Sequence, residues 1–192
     1  AQVSSLQAQV SRMQAEVNNK PFAYDGNDPN MTLQAAIYGQ RQAEYNFKLE
    51  NYQQKIDSLS AALAKANSDI ATYTDRLSYA KSLEAMRLQL EQLNVGSKLN
   101  TLSAKDSRAE MAGNLAGAKQ AALGAQRDLA AMVAERNGYI QGWHSDIADK
   151  LTDALSKLSD ARESLNKAQL RRQLVVLRAE RDGTVLSVGI VA

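Results

Sequence analysis

From Met31 to about Ala168 the sequence repeats its apolar residues at alternating spacings of three and four, which is the pattern of a coiled coil. The repeat is interrupted at residues 94–97, where Asn94 and Gly96 tolerate positive φ and Ser97 can cap a new helix. At about 1.5 Å per residue, each arm would be on the order of 100 Å long. The pattern therefore predicts a long antiparallel helical hairpin over residues 30–173, with its tip near residues 94–97.

Two sets of residues are predicted to form the seam between the arms. In the outgoing arm the alternation runs from Met31 to Ala80 and then slips by one residue, which predicts a coil that is re-aimed before the tip by Leu83, Met86, Leu90 and Leu93. In the returning arm the same alternation selects Leu123, Gln126, Ala130, Val133, Asn137, Ile140, His144, Ile147, Leu151, Ala154, Leu158, Ala161, Leu165 and Ala168.

The segment before the hairpin divides into a helix and a loop. Residues 1–17 have helical spacing and predict a short amphipathic helix that packs on the hairpin base. Residues 18–29 contain both prolines and a dense run of turn formers, which predicts a loop. Asp28 followed by Pro29 is a start signal for the first long helix, because Asp caps exposed amides and Pro suits the first helical position.

The last segment, residues 174–192, changes character. From Thr184 to Val191 apolar and small residues alternate with a period of two, directly after the turn formers Asp182 and Gly183. This pattern predicts a β-strand. A single strand needs partners, so we expect the remaining strands of its domain to lie outside the given sequence.

Composition argues against several functions. The net charge is only +2, and the 23 basic residues form no stripe along one face, so no nucleic-acid partner is expected. The chain has no cysteine and no cluster of nucleophile, base and orienting group, so we expect neither an enzyme nor a cofactor. Its one histidine, His144, falls in the predicted seam, and we expect no metal site there.

A family resemblance rests on the residues that follow the returning arm. The segment resembles the lipoyl-like motif Leu-x-Ala-Pro-x-Asp-Gly-x-Val of haemolysin-D-type periplasmic adaptors, also called membrane fusion proteins, with matches at Leu177, Ala179, Asp182, Gly183 and Val185. Glu180 stands at the Pro position. In that family a helical hairpin is inserted between two halves of a lipoyl-like domain. The resemblance implies a mainly α fold: a hairpin, a short extra N-terminal helix at its base, and a C-terminal β segment that is half of a lipoyl-like domain.

The same family has a signature at the hairpin tip: an Arg, a Leu four residues later and a Ser seven residues after that. Leu90 and Ser97 match the Leu-to-Ser spacing, whereas Arg87 lies three residues before Leu90, with Met86 at the matching position. The resemblance implies that Arg87, Leu90 and Ser97 dock an outer-membrane channel. Helix ending and capping explain Leu90 and Ser97 equally well, and one residue can have both roles.

The resemblance also implies a cellular role. Such adaptors link an inner-membrane ABC transporter to a TolC-like outer-membrane channel for protein export by type I secretion, and they commonly assemble as six copies. No run of 18 apolar residues is present, so we expect a periplasmic segment whose inner-membrane anchor lies outside the given sequence. Two alternatives stay open: a structural coiled-coil scaffold, and an adaptor of a tripartite small-molecule efflux pump.

Overall fold

The structure, a computed structural model, describes residues 2–24, 26–175 and 184. These residues form three α-helices: α1 (Gln2–Val17), α2 (Pro29–Gln92) and α3 (Lys98–Val175). The predicted mainly helical fold with a long helical hairpin, formed by α2 and α3, is confirmed. The predicted β segment and the lipoyl-like motif residues lie outside the described residues, apart from Thr184.

The chain divides into two compact units. The first, here the α1 unit, comprises residues 1–40 and 144–192 and contains α1 with the adjoining parts of α2 and α3. The second, here the tip unit, comprises residues 41–143 and contains the rest of the two long helices with the turn between them.

In the α1 unit, α1 packs on α3 through a small apolar core. Val10, Ala154 and Leu158 are buried at its centre, and the partly buried side chains around them are Val3, Leu6, Met13 and Leu151. The α1 members recur at spacings of three and four, which places them on one face of the helix. Full burial of a large apolar side chain contributes roughly 1.5–3 kcal/mol, so this face is the main apolar contact that holds α1 on α3.

A buried polar network joins α1 to α2 beside this core. Arg12 forms an ion pair with Glu16, and its Nε donates a hydrogen bond of 2.7 Å to Oε1 of Gln34. The three residues are only 7%, 3% and 5% exposed, respectively. Charged groups this deeply buried need partners, because an uncompensated buried charge is strongly destabilising.

The loop between α1 and α2 is fixed at both ends. Asn19, with φ of 51°, ends α1, and the Asp28 carboxylate accepts a hydrogen bond of 2.8 Å from the Asn30 amide at the start of α2. Between them, Phe22 packs on Tyr38 with ring centroids 5.9 Å apart, and the Tyr38 hydroxyl donates to the Lys20 carbonyl. Asp28 therefore caps α2 as the sequence predicts.

The seam of the tip unit follows the predicted register on α2 but not on α3. On α2 the buried and half-buried positions include Tyr45, Leu49, Tyr52, Ile56, Leu59, Leu63, Ala66, Ile70, Tyr73, Leu77 and Ala80, as predicted. On α3 they include a set one residue out of phase with the predicted one: Thr101, Ala104, Arg108, Met111, Leu115, Ala118, Ala122, Ala125 and Leu129.

The predicted α3 register is therefore wrong at several positions of the tip unit, although Val133 and Ile140 are half-buried at predicted positions. Leu123 is 40% exposed, and Gln126, Ala130 and Asn137 are exposed as well. In the α1 unit the buried and half-buried positions return to the predicted register, at Ile147, Leu151, Ala154, Leu158 and Ala161, whereas Leu165 and Ala168 are exposed. Alanine is abundant in both candidate sets between Thr101 and Ala130, so apolar content alone does not select one of them.

An aromatic cluster packs the tip unit at the end far from the turn. The Tyr45 ring lies 5.1 Å from Trp143 and 6.0 Å from Tyr139, and the Arg41 guanidinium stands 4.6 Å above the Trp143 ring. Burial, and to a lesser degree the nearby Glu44 carboxylate, raises the pKa of Tyr139 above its ordinary value. Aromatic pairs of this kind contribute about 0.5–1.5 kcal/mol each beyond their burial.

The turn between α2 and α3 closes by backbone hydrogen bonds. Asn94 has φ of 58°, its amide donates to the Glu91 carbonyl, and the Val95 amide donates to the Leu90 carbonyl at 3.1 Å, which together form a Schellman cap. Gly96 does not adopt a positive φ, although glycine can readily do so. A Cβ there would lie 2.9 Å from backbone atoms of Leu90 and Glu91. Glycine is therefore required for the backbone at residue 96 to lie this close to the end of α2.

Prediction for the buried network. Arg12→Ala removes the guanidinium that pairs with the buried Glu16 carboxylate and bonds to Gln34, so we expect the unfolding free energy of the α1 unit to fall by about 3–5 kcal/mol. Hydrogen exchange of the α1 amides measures this loss directly. Replacing Arg12, Glu16 and Gln34 together with Met, Leu and Leu should restore most of the protection, and an Arg12→Ala variant with unchanged protection would contradict the assignment.

Prediction for the turn. Asn94→Ala forces an ordinary side chain into the left-handed region and should cost about 1 kcal/mol, whereas Asn94→Gly should cost nothing. Urea unfolding of the two variants provides the comparison. Asn19→Ala, at the equivalent cap of α1, is the matched control and should cost a similar amount. Equal stability of the Ala and Gly variants at residue 94 would show that the positive φ is not required.

Candidate docking surface at the hairpin tip

Large apolar side chains are exposed on both helices next to the turn. Among the described residues, nine of the eighteen exposed large hydrophobic side chains fall between Tyr79 and Leu102. Closest to the turn are Leu93 (64% exposed), Val95 (73%) and Leu99 (73%). Isolated exposed apolar residues are ordinary, but a contiguous group of them marks an interaction surface.

The three residues predicted to dock a channel all lie at this end of the hairpin. Arg87 and Ser97 are exposed, and Leu90 is 41% exposed. The Leu90 carbonyl accepts hydrogen bonds from Val95 and Gly96, and the Ser97 carbonyl accepts one from Thr101 at the start of α3. Their backbones therefore end α2 and begin α3, while the side chains stay exposed to a partner.

The predicted slip of the seam after Ala80 is wrong. Ala80 is buried, and the seam continues in the same register to Glu84, whose carboxylate lies 2.6 Å from Nε of Arg108 on α3. Farther along, Thr101 is 3% exposed and its hydroxyl donates to the Arg87 carbonyl. Polar contacts thus hold the two helices together where the sequence pattern places leucines.

Because the seam does not slip, the apolar set assigned to it lies beside the seam, about 100° around α2 from the positions that contact α3. We call this set the outer stripe; it includes one tyrosine before the predicted slip and consists of Tyr79 (73% exposed), Leu83 (43%), Met86 (55%), Leu90 (41%) and Leu93 (64%). Exposed apolar side chains next to a helix contact made by the charged residues Glu84 and Arg108 depart from the usual arrangement of a helix pair. Such local conflicts between sequence and fold concentrate at functional sites.

A shallow groove runs between the outer stripe and α3. Leu83 and Arg87 line it from α2, and the α3 side is made of small or polar residues: Asn100, Ser103, Ala104 and Ser107. The groove therefore combines apolar contact with hydrogen-bonding groups. Its size, about 260 Å³, suits inserted side chains.

Sequence reasoning missed the polar part of this seam. Ala80, Glu84, Arg87 and Glu91 continue the 3-4 spacing of α2 in the sequence, and that continuity was the available signal, although Arg87 is exposed whereas Glu84 and Glu91 are half-buried. The apolar residues one position earlier were predicted to form the seam instead, because apolar content is normally the stronger guide to the buried side of a helix. The pairing of Glu84 with Arg108 joins residues far apart in sequence, so neither residue was singled out.

Other kinds of site find no support in the residues that the structure describes. Within those ranges, no three His, Cys, Asp or Glu side chains lie together as metal ligands do. The same residues include no helix apolar and long enough to span a bilayer.

Comparison with known proteins agrees with the fold. The crystal structure of the soluble domain of LipC, a membrane fusion protein of a type I secretion system, is similar with a TM-score of 0.86, at 14% sequence identity and covering 94% of this chain and 90% of that chain. This likeness establishes the fold. A search of curated protein sequences finds no match.

A match at the family level covers most of the chain. Residues 1–171 fit the family described as AprE, long alpha-helical hairpin. Together with the structural likeness to LipC, this match confirms the predicted resemblance to membrane fusion proteins. The chain belongs to the AprE long α-helical hairpin family.

Proposed function

We propose that this chain is the hairpin part of a periplasmic adaptor that links an inner-membrane ABC transporter to a TolC-like outer-membrane channel in type I protein secretion. The role is non-enzymatic: the adaptor joins two partners and holds them in register. The observation that supports it most is the group of exposed apolar side chains at the hairpin tip, on a chain of the AprE family.

The tip is suited to end-on docking. Its turn is closed by backbone hydrogen bonds from Asn94, Val95 and Gly96, so it presents a defined surface before a partner arrives. Leu90 and its exposed neighbours supply apolar area, and burial of each such side chain contributes about 1.5–3 kcal/mol. Arg87 and Ser97 add hydrogen-bonding groups at the rim of the same surface.

Several copies would strengthen this contact. The family resemblance suggests a ring of six adaptors, and linked copies raise the overall affinity without any new contact, because each further docking step becomes intramolecular. Ring formation and the transporter contact then belong to the other end of the chain. There, Leu177, Ala179, Asp182, Gly183 and Val185 would belong to half of a lipoyl-like domain.

Prediction for docking. In the full-length protein, expressed with its ABC transporter and TolC-like channel, Leu90→Asn should reduce secretion at least about tenfold if each copy loses 1.4 kcal/mol or more of contact energy. Leu155→Asn is the matched control, because Leu155 is 43% exposed but belongs to the α1 unit. It should leave secretion unchanged.

A crosslinking measurement tests the same contact without relying on secretion. The chain lacks cysteine, so Leu90→Cys, Ser97→Cys and Lys98→Cys each introduce a single thiol. We expect bifunctional reagents to join these positions to the channel. If crosslinks to the channel form only from positions in the middle of the arm, such as Ser58→Cys, tip docking is wrong.

A further inference from the structure

We propose that the outer stripe of α2 is the line along which a helix of the channel packs, so that docking continues down one side of α2 rather than stopping at the tip. This inference rests on the proposed function and adds the shape of the contact to it. The stripe begins at Tyr79 and reaches the turn at Leu93, so it is continuous with the tip surface.

The spacing of the stripe specifies a helix as its partner. Its five members follow one another at intervals of four, three, four and three residues, which is a second heptad repeat on a helix whose first repeat already faces α3. A heptad stripe keeps a constant orientation only against another helix that supercoils with it. The fourteen residue-to-residue steps from Tyr79 to Leu93 make this contact about 21 Å long.

The short extent of the stripe favours a partner that enters from the tip. Continued toward the base at the same spacing, it meets Arg76, Thr72, Asp69 and Lys65, all polar or charged. A second copy lying alongside the whole hairpin would have to cover these groups, at the cost of removing charges from water. A channel helix reaching down from the tip covers only the apolar part.

The groove beside the stripe specifies the chemistry of that helix. Leu83 offers apolar contact, while Ser103 and Ser107 offer hydroxyls, and the exposed Arg87 guanidinium stands at the edge. The matching helix carries apolar residues at 3-4 spacing, flanked by a carboxylate to pair with Arg87 and by small polar residues. Such flanking charges set partner choice and orientation in helix pairs.

The test uses a photo-crosslinking amino acid placed singly in the full-length adaptor, expressed with its transporter and an epitope-tagged TolC-like channel. Met86 reports on the stripe, and Ser97 reports on the tip. Leu88 is the orientation control, because it lies at the same height, is 38% exposed, and points to another side of α2. Lys65 reports on the same side of α2 nearer the base.

We expect crosslinks to the channel from Ser97 and from Met86, with the yield at Met86 at least about tenfold above that at Leu88, since residues two apart on a helix do not face the same way. Lys65 should give no channel crosslink. Crosslinks from Ser97 but not from Met86 would overturn the extended contact and leave tip docking intact.

Two other outcomes would also overturn the inference. A crosslink from residue 86 to a second adaptor copy would show that the stripe serves self-assembly. If neither Ser97 nor Met86 crosslinks to the channel, both the proposed function and the extended contact are wrong.

A second experiment uses a Leu83→Asn/Met86→Asn variant. It should keep the thermal midpoint of the isolated chain unchanged and reduce secretion at least about tenfold, equivalent to 1.4 kcal/mol. A lowered midpoint would show that the stripe packs within the hairpin.

Discussion

The register of the α2 seam is the constraint on which the rest of the tip depends. In the tip unit α2 presents the same heptad positions to α3 from Tyr45 to Ala80 and then on to Glu84, where the ion pair with Arg108 replaces apolar packing. A helix has only one side facing its partner, so this choice decides what faces solvent. The leucines of the outer stripe are exposed because Ala80 and Glu84, and not the leucines, occupy the side of α2 that contacts α3.

This arrangement separates stability from recognition. In the α1 unit, the apolar contacts of Val10 with Ala154 and Leu158 and the Arg12 network are enclosed within the protein and serve to hold helices together. Near the turn, large apolar side chains are left outside, and the helix pair is held by small residues, an ion pair and the hydroxyl of Thr101. The apolar area that would ordinarily stabilise the hairpin is thereby available to a partner, in keeping with the proposed docking role.

Residue type and spacing predicted the features that depend on residues close together in the sequence. The long hairpin, the Asp28 cap and the positive φ of Asn94 follow from residue type and spacing, since each depends on a few neighbouring residues. The register of α3 did not follow, because two Ala-rich sets one residue apart compete there and only packing against α2 selects between them. The outer stripe was recognised as an apolar set but assigned to the seam, and the contacts that displaced it, Glu84 with Arg108 and Thr101 with Arg87, join residues distant in sequence.

The most direct test of this account is the accessibility of single thiols to maleimide, with and without the channel. Met86→Cys, on the outer stripe, should react rapidly in the isolated chain and become protected in the complex of full-length adaptor, transporter and TolC-like channel. Ala80→Cys, in the seam, should react slowly in both. Faster labelling at residue 80 than at residue 86 would contradict the register of α2, and unchanged labelling of Met86→Cys in the complex would contradict the assignment of the stripe to the channel.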